Sequence, residues 1–309
     1  MPATRPVRCQ PQDGIHDFWR DAALPYVESR RACHSRACYK PHSHPTYSIG
    51  AVDAGTSVFT GAVDGPVRLH PGTVVFVPAM RMHACNPATE TAWSYQMLHL
   101  DAQWLRAVRA EYAPALGGAL LQPEPVRIVH DAQLYRRFCQ LNDVLFSTAP
   151  AGDKEAALIA FIGDSDGAQG LRVDTPALAA GLAERLLPAM QAVSDAPGEA
   201  LALQDLARRV GMSRYQFIRA VRAATGMTPH AWQLNLRVNL ARDRLRSGAR
   251  LADLAHHLGF ADQAHFQRVF KAYAAVTPGR YQVQRYSPRG AGSARLVCGS
   301  RMAGLSRHD

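Results

Sequence analysis

Histidine and cysteine side chains, which can bind metal ions or anchor a polar ligand, cluster in the amino-terminal half of the chain. His42 and His44 are one residue apart, so in an extended segment both imidazoles lie on one face. His83 and Cys85 could add a third nitrogen and a sulfur. Imidazole and thiolate suit soft transition metals, whereas imidazoles can also hold the polar groups of a small molecule. These four residues predict a ligand site of one of these two kinds.

Three interpretations of this half remain open from the sequence. In the first, a small-molecule effector occupies a pocket. The residues expected to line it are His42, His44, Tyr47, His83, Trp93, Tyr95 and Met97. In the second, the chain responds to a metal or to redox state through His42, His44, His83 and Cys85. Cys33, His34 and Cys38 lie nearby in sequence, but their spacing matches no compact zinc pattern. In the third, the histidines form hydrogen bonds inside a barrel that serves only for dimerisation.

Positive charge is concentrated toward the carboxyl terminus. Residues 201–290 contain fifteen Arg and Lys against four Asp, a balance of +11, whereas the other 219 residues hold 20 basic and 21 acidic side chains. A basic segment on an otherwise neutral chain is typical of a polyanion binder, because neutralising phosphates releases condensed counterions. Double-stranded DNA is therefore the first expected partner.

The basic segment contains an internal repeat. Residues 206–211, Leu-Ala-Arg-Arg-Val-Gly, reappear at 254–259 as Leu-Ala-His-His-Leu-Gly, and Thr228-Pro229 reappears as Thr277-Pro278. Each copy reads as a helix, a glycine turn, a capping residue (Ser213 or Asp262) and a second helix, which is the order of a helix-turn-helix unit. Two such units in tandem predict two helices that enter successive major grooves.

The second helix of each unit carries side chains that can contact DNA. Phe217 and Val221 in the first unit, and Phe266 and Phe270 in the second, have the spacing of core residues. The remaining positions are the predicted DNA-binding residues Arg214, Tyr215, Ile218, Arg219, Arg222, Gln263, Ala264, Gln267, Arg268 and Lys271. Arg can pair bidentately with guanine and Gln with adenine. The alternative is that the arginines pair with acids inside the helical bundle.

The elements that must position these residues follow from hydrophobic periodicity. Short strands are expected from about 35 to 101, and helices at about 103–112, 131–147, 153–162 and 176–194. The predicted division is an amino-terminal extension (1–34), an effector-sensing barrel (35–101), a helical dimerisation or linker region (102–195), the tandem helix-turn-helix domain (196–286) and a flexible tail (287–309). The fold class is a two-domain α+β protein.

Length and composition exclude several classes of protein. The chain has 309 residues, 47% hydrophobic and 19% charged, so it should fold into more than one globular unit. Charges throughout the first thirty residues argue against a signal peptide, and we expect a cytoplasmic protein without a membrane segment. In a reducing cytosol the six cysteines are expected to be thiols.

Residues 196–286 resemble the AraC/XylS family of bacterial transcription regulators. The motifs that carry the resemblance are 206–207 through 212–213, 226–229, 254–260, 266–271 and 277–278. The resemblance implies two helix-turn-helix units linked by a helix near 233–247. It places the base-reading positions on Tyr215, Ile218, Arg219, Gln263, Ala264, Gln267 and Arg268. Ala275 departs from the family, which often has glycine there, so the second unit is expected to end its helix differently.

Residues 35–100 are similar to the cupin-type sensor domain of many members of that family. The resemblance rests on His42-Ser43-His44 and on the segment 71–78 followed by His83 and Asn86. It implies a barrel with an effector site. Metal-binding cupin enzymes have a glutamate after the paired histidines, and the corresponding segment 47–49 contains no acid, so a facial triad for iron is incomplete.

Together these features predict a DNA-binding transcription regulator whose cupin-like domain senses a small molecule. No nucleophile–base–acid set is recognisable, so we predict no enzyme activity and no cofactor. The expected partners are promoter DNA, a small-molecule effector and a second copy of the chain, with RNA polymerase as a further candidate. Helices near 131–147 and 176–194 are the candidates for the dimer contact; their alternative is ordinary packing beneath the barrel.

Overall fold

A computed structural model describes residues 15–62, 64–89, 91–112, 124–173, 181–199 and 201–283. Strands and three helices make up the chain as far as residue 173, and from residue 181 the described chain is helical. This arrangement confirms the two-domain α+β architecture. The predicted tail at 287–309 lies outside the described residues, as do the first fourteen residues of the predicted extension.

Two antiparallel sheets form the amino-terminal domain. The larger has seven strands in the order β1-β2-β8-β3-β6-β9-β10, and the smaller has three in the order β5-β4-β7. Their bounds are β1 Ile15–Trp19, β2 Val27–Ser35, β3 Tyr47–Ala54, β4 Ser57–Thr60, β5 Val67–Leu69, β6 Thr73–Val77, β7 Ala84–Pro87, β8 Trp93–Leu100, β9 Val126–His130 and β10 Leu171–Val173. β3 lies between β6 and β8 and is buried over most of its length.

The large sheet extends beyond the segment 35–101 that the sequence indicates. β1 and nearly all of β2 come from the predicted extension, and β9 and β10 come from the predicted helical region. β2 pairs with β8 from Val27↔Leu100 to Ser35↔Trp93, so it is an integral strand. The strand crosses the predicted boundary at 35. Its sequence, which mixes charged and polar residues with a few apolar ones, gives no period-two signal although most of the strand is buried.

Helices cover one face of the large sheet. They are α1 Ala102–Tyr112, α2 Ala132–Leu145 and α3 Ala151–Asp166. Their apolar residues, among them Phe138 and Phe161, form one core with Tyr47, Ile49 and Ala51 of β3. The opposite face of the sheet packs against the three-stranded sheet through a second core that includes Val52, Phe59, Val75 and Tyr95. The period of two along β3 therefore divides its side chains between two cores.

The carboxy-terminal helices follow the repeat in the sequence. They are α4 Leu182–Asp195, α5 Leu203–Arg209, α6 Arg214–Thr225, α7 Pro229–Arg246, α8 Leu251–His257, α9 Gln263–Ala274 and α10 Pro278–Val283. α5 and α6 form the first helix-turn-helix unit, α8 and α9 form the second, and α7 joins them. Helix α4 packs with the first unit, because Leu186, Ala189 and Val193 share a core with Phe217 and other residues of α5–α7. The assignment of this helix to a dimerisation or linker region stays a prediction.

The turns of both units depend on glycine. Gly211 and Gly259 have positive φ, +64° and +68°, in the turn before the second helix. A Cβ at Gly259 would come within 2.1 Å of the Gly198 carbonyl oxygen, so this position also requires a close backbone approach. Glycine alone combines a left-handed backbone with no side chain.

Ala275 ends the second unit in the same way as Gly226 ends the first. Both residues are left-handed, with φ of 60° and 70°, and each backbone N–H donates to the carbonyl four residues earlier. The expectation of a different ending is wrong. A single alanine in this conformation costs roughly 1 kcal/mol. Burial of Ala275 and its neighbour Val276 in the core of the second unit holds it there.

Replacing Ser213 by Ala should lower the free energy of unfolding by about 1 kcal/mol, because Ser213 and Gln216 form a reciprocal capping box at the start of α6. Urea unfolding of the purified chain measures this change. Ser194→Ala is the matched control. The Ser194 hydroxyl lies on the exposed face of α4 and donates to the Met190 carbonyl of the same helix, so it caps no helix end. We expect the control to change stability by less than about 0.5 kcal/mol; equal losses in the two variants would contradict the role of the cap.

Candidate DNA-binding surface and effector cavity

The second helix of each helix-turn-helix unit presents its polar face to solvent. Phe217, Val221, Phe266 and Phe270 are buried, as their spacing predicts. Of the predicted DNA-binding residues, Ile218 and Lys271 are half-buried, and the others are exposed: Arg214, Tyr215, Arg219, Arg222, Gln263, Ala264, Gln267 and Arg268. Tyr215 is 67% exposed, which is unusual for a large aromatic side chain. The reading positions are thus accessible to a partner.

The acids of this domain do not neutralise the arginines on the two exposed helices. Its ion pairs, among the residues that the structure describes, join Arg208 to Asp205 and Arg246 to Asp243. Arg219 instead lies over the ring of its neighbour Tyr215, with the guanidinium carbon 5.7 Å from the ring centroid. Two of the four Asp residues of this segment thus pair with other arginines, which argues against ion pairs of Arg219 and Arg268 inside the helical bundle.

The two domains touch through the segment that carries the paired histidines. Asn235 of α7 accepts from the Ser43 backbone N–H at 3.2 Å and donates to the Ser43 carbonyl at 2.9 Å. Asn239, one turn further along α7, donates to the same carbonyl at 2.9 Å. Ser43 separates His42 from His44, so the linking helix of the DNA-binding domain holds the backbone between these two side chains.

Further contacts connect the same region to α9 and α10. The Lys40 backbone N–H donates to the Ala272 carbonyl at 3.0 Å, and buried Arg30 donates to the Ala274 carbonyl at 3.0 Å. Glu28 of β2 accepts from the Tyr281 hydroxyl at 3.1 Å. The end of the second reading helix is therefore tied to the sensor side by main-chain and side-chain hydrogen bonds.

A cavity that is partly open to solvent lies inside the sensor domain next to α7. Its wall includes the predicted His42, His44, His83, Trp93, Tyr95 and Met97, together with Cys85. Tyr47 does not line it, because it faces the helical core on the other side of β3. Residues that sequence reasoning missed are Arg30 of β2, His99 of β8 and Arg242 of α7.

No local pattern in the sequence identifies His99 or Arg242 as part of the cavity wall. His99 is directly opposite Ser48 in the β3–β8 pair, and its Nδ1 is 2.8 Å from the Ser48 hydroxyl. Arg242 comes from the DNA-binding domain, and no local pattern in the sequence connects it to the strands. Both would have required knowledge of which strands pair and how the domains dock.

Three imidazoles converge at one end of the cavity. One ring nitrogen from each of His42, His44 and His83 lies within 4.8 Å of the others, and all three residues are at most 8% exposed. The backbones of His42 and His83 form an isolated bridge, with N–H to carbonyl distances of 3.0 and 2.9 Å. The Met80 N–H donates to the His44 carbonyl at 2.8 Å. Main-chain hydrogen bonds therefore fix all three side chains at their base.

The ring nitrogens are oriented in a common way. Nδ1 lies 2.7 Å from the Lys40 carbonyl in His42, 3.0 Å from the Thr46 carbonyl in His44 and 2.8 Å from the Arg81 carbonyl in His83. A carbonyl can only accept, so each Nδ1 carries the proton and each Nε2 keeps its lone pair. Burial, reinforced for His42 and His44 by other histidines and Arg242, lowers the pKa of all three imidazoles, which are neutral at pH 7.

The cysteines differ in state. Burial raises the pKa of the Cys85 thiol to about 12, and Cys139 is also a thiol. Cys85 lines the cavity but lies outside the group of three histidines. Cys38 is disulfide-bonded, so the expectation that every cysteine is a thiol is wrong. A protonated Cys85 is a poor nucleophile and a poor redox sensor.

Buried positive charge is the other feature of the cavity. Arg30 is 7% exposed, and its guanidinium donates to His16 Nδ1 and to the Ala274 carbonyl. Arg242 donates to the Asn239 side chain and to the Tyr273 carbonyl. Within the described chain neither guanidinium has a carboxylate within 4 Å, and no Asp or Glu lines the cavity. The cavity is therefore apolar on most of its wall and cationic where the domains meet.

Two protein families match the chain. Residues 24–162 match the AraC-like ligand binding domain, and residues 206–284 match a helix-turn-helix domain. No helix in the described ranges combines the length and the apolar character that a membrane crossing requires.

Curated relatives are similar to the DNA-binding part. The chain is 36% identical over 67 residues to YbfI, an HTH-type transcriptional regulator of Bacillus subtilis, covering 22% of this chain and 24% of that protein. It is 28% identical over 100 residues to MtrA, an HTH-type transcriptional regulator of Neisseria gonorrhoeae, covering 32% and 33%. The similarity to RclR, an RCS-specific HTH-type transcriptional activator of Escherichia coli, is 30% over 99 residues, covering 32% and 35%. The chain thus spans about a third or less of the length of these relatives.

Solved structures resemble the whole chain. ToxT from Vibrio cholerae, in a crystal structure with a bound unsaturated fatty acid, superposes with a TM-score of 0.51 at 12% identity, covering 90% of this chain and 98% of that one. At this identity the likeness shows the fold alone. One family match covers most of the strand-rich domain, the other covers the two helix-turn-helix units, and the arrangement of the two domains is similar to that of ToxT. The chain therefore combines an AraC-like ligand binding domain with a helix-turn-helix domain, and the curated relatives it matches are transcriptional regulators.

Proposed function

We propose that this protein binds double-stranded promoter DNA through both helix-turn-helix units and regulates transcription in response to a small-molecule effector. The observation that carries the proposal is the exposure of Arg219 and Arg268 at equivalent positions of α6 and α9, without an ion pair to any described residue. Exposed arginines on the second helix of a helix-turn-helix unit can pair bidentately with guanine in the major groove.

The cavity supports an effector with an apolar body and an anionic group. Val52, Leu69, Val75 and Trp93 supply apolar wall. Buried Arg30 and half-buried Arg242 supply two positive charges that have no carboxylate within 4 Å among the described residues. A buried charge is costly unless it is paired, so an anionic group that reaches them would gain a strong interaction.

Effector binding can change DNA binding because Arg242 belongs to α7. An effector that contacts both Arg30 and Arg242 bridges the two domains. It therefore favours the relative arrangement of the domains in which these two side chains lie close together. An effector shifts the equilibrium only by its difference in affinity between the two arrangements. The direction of the response, activation or repression, follows from which arrangement fits the promoter.

Selection of genomic DNA fragments with the purified full chain tests the DNA-binding proposal. We expect enrichment of a site whose protected bases fall in two successive major-groove segments, roughly 34 Å apart for each copy of the chain. Footprinting of the enriched fragment locates these segments. Enrichment of no common sequence, or protection of one groove segment only, would contradict the use of both units.

We propose further that the regulator acts as a homodimer in the cytoplasm, contacts RNA polymerase and has no catalytic activity. The absence of an acid from the described wall of the cavity supports the last point, because hydrolytic metal sites commonly use a carboxylate as base. Sedimentation analysis tests the dimer. Turnover of any substrate by the purified protein would contradict the proposed lack of catalytic activity.

A further inference from the structure

The cluster of His42, His44 and His83 has the features of a metal site. Three imidazoles converge, with one ring nitrogen of each within 4.8 Å of the others. The Nδ1 of each ring lies against a backbone carbonyl, which leaves Nε2 as the ligand atom; the Nε2 of His44 has a long contact, 3.4 Å, to the Ser48 hydroxyl. Histidines that bind metals commonly donate their other N–H to a carbonyl or carboxylate, which fixes the tautomer and the ring orientation. A cluster that served only for packing would not require all three rings to share this orientation.

The donor set favours some metals over others. Three imidazoles without a carboxylate suit Zn²⁺ and similar late transition metals, whereas Mg²⁺, Ca²⁺ and Mn²⁺ prefer oxygen ligands. Three protein ligands leave the fourth tetrahedral position of Zn²⁺ open. Here the three histidines line the same cavity as Arg30 and Arg242, so an anionic ligand of a bound ion could also interact with these guanidinium groups.

We propose that His42, His44 and His83 bind one Zn²⁺-type ion, and that this site is coupled to the DNA-binding domain through Ser43. The coupling part rests on the proposed function, whereas metal binding stands by itself.

A short chain of hydrogen bonds connects the three histidines to α7 of the DNA-binding domain. Ser43 lies between two of the ligands, and its backbone is held by Asn235 and Asn239 of α7. Drawing His42 and His44 onto an ion moves or rigidifies the peptide groups of Ser43. Any such change must be accommodated by the hydrogen bonds to α7, the helix that sets the relative position of the two helix-turn-helix units.

Zinc titration of the full chain tests the site. After treatment with a chelator and dialysis, the protein is titrated with ZnCl₂ in competition with a chromophoric chelator. We expect one Zn²⁺ per chain, and a loss of at least a hundredfold in affinity in the double variant His42→Ala/His83→Ala. His70→Ala, which removes an exposed imidazole of the same domain, is the matched control and should bind zinc like the unmodified protein.

A second measurement does not depend on a variant that folds. Co²⁺ added to the unmodified chain should give the visible absorption of a tetrahedral nitrogen site, and Zn²⁺ should abolish it. Absence of stoichiometric zinc binding in the unmodified chain would overturn the site. Undiminished affinity in a folded His42→Ala/His83→Ala variant would do the same.

DNA affinity separates the coupling from the proposed function. We expect the affinity of the unmodified chain for its selected site to change at least fivefold between zinc-loaded and zinc-free protein. We expect the change to shrink in Asn235→Ala and Asn239→Ala, which retain all three ligands. Equal affinities with and without zinc, despite stoichiometric binding, would overturn the coupling alone. Failure to bind any DNA in either state would contradict the proposed function and leave the zinc site standing.

Discussion

Replacing Arg219 or Arg268 by Ala should weaken binding to the selected DNA site by about 1–3 kcal/mol, which is roughly 5- to 150-fold in affinity. Both side chains are exposed, occupy equivalent positions of the repeat and have no ion pair to a described residue. Each variant should also relax the base preference at one position, because a bidentate contact to guanine is lost. Fluorescence anisotropy with the selected site and with single-base variants of it measures both effects.

The control must remove the same charge without removing a base contact. Arg172 of β10 is exposed on the sensor domain, so Arg172→Ala lowers the net charge equally but should leave the affinity nearly unchanged. The slope of affinity against salt concentration adds a second criterion. A side chain that only touched phosphate would weaken binding to all sequences alike and would reduce that slope by about 1. Unchanged affinity and preference in both reading-helix variants would show that another surface reads the DNA.

The DNA-binding domain could be predicted closely from the sequence because its signals are local. A capping serine or aspartate, a left-handed glycine and a Thr-Pro pair each determine the backbone within a few residues. The structure has side-chain caps from Ser213, Asp262 and Thr228 where the sequence predicts them. Ala275 shows the limit of local reasoning, since tertiary packing holds it in a conformation that its own preference disfavours.

The cavity could be predicted only in part, because its wall depends on contacts between distant segments. The alternation along β3 correctly separates Tyr47 from Ser48, but it does not say which face the helices cover. Arg242 lines the cavity although it lies 200 positions after His42, which lines the same cavity. Asn235 and Ser43, which form hydrogen bonds with each other, are 192 positions apart. Contacts of this separation leave no periodic trace in a single sequence.

Helix α4 illustrates a third kind of difference. Its leucines have the spacing of an amphipathic helix, which is equally compatible with a dimer contact and with packing inside the chain. In the structure Leu186 is fully buried against the first helix-turn-helix unit, whereas Leu187 is 57% exposed. Hydrophobic spacing identifies the buried face of a helix but not the element that covers it.

Replacing Glu28 by Ala should lower the free energy of unfolding by about 3–5 kcal/mol, because it breaks a buried ion pair and leaves its partners without compensation. Glu28 accepts from Arg20 Nε at 2.6 Å and from the Tyr281 hydroxyl at 3.1 Å, with 6% of its surface exposed. Because Tyr281 belongs to α10, the loss should also weaken docking of the two domains. Urea unfolding measures the stability. Hydrogen exchange of the Lys40 backbone N–H, which donates to the Ala272 carbonyl across the two domains, reports on the docking.

A second ion pair of equal length provides the control. Arg31 and Asp143 also lie 2.6 Å apart, but the Asp143 side chain is 76% exposed, so Asp143→Ala should cost less than about 1 kcal/mol. The comparison isolates burial as the cause, since the distance between the charged atoms is the same in both pairs. Similar losses in the two variants would show that the Glu28 pair gains nothing from its surroundings.

The contribution of Glu28 should disappear in acid. Burial acts to raise the pKa of this carboxyl, but Arg20, Arg246 and Arg242 outweigh it and hold the pKa below the ordinary value. A carboxylate with a lowered pKa stabilises the folded state above the unfolded-state pKa of about 4.3, and this stability is lost as the pH falls through the folded-state pKa. The difference in stability between the unmodified chain and Glu28→Ala should therefore be constant above about pH 5 and shrink below about pH 4. A difference that persisted unchanged at low pH would mean that the side chain acts through packing and not through its charge.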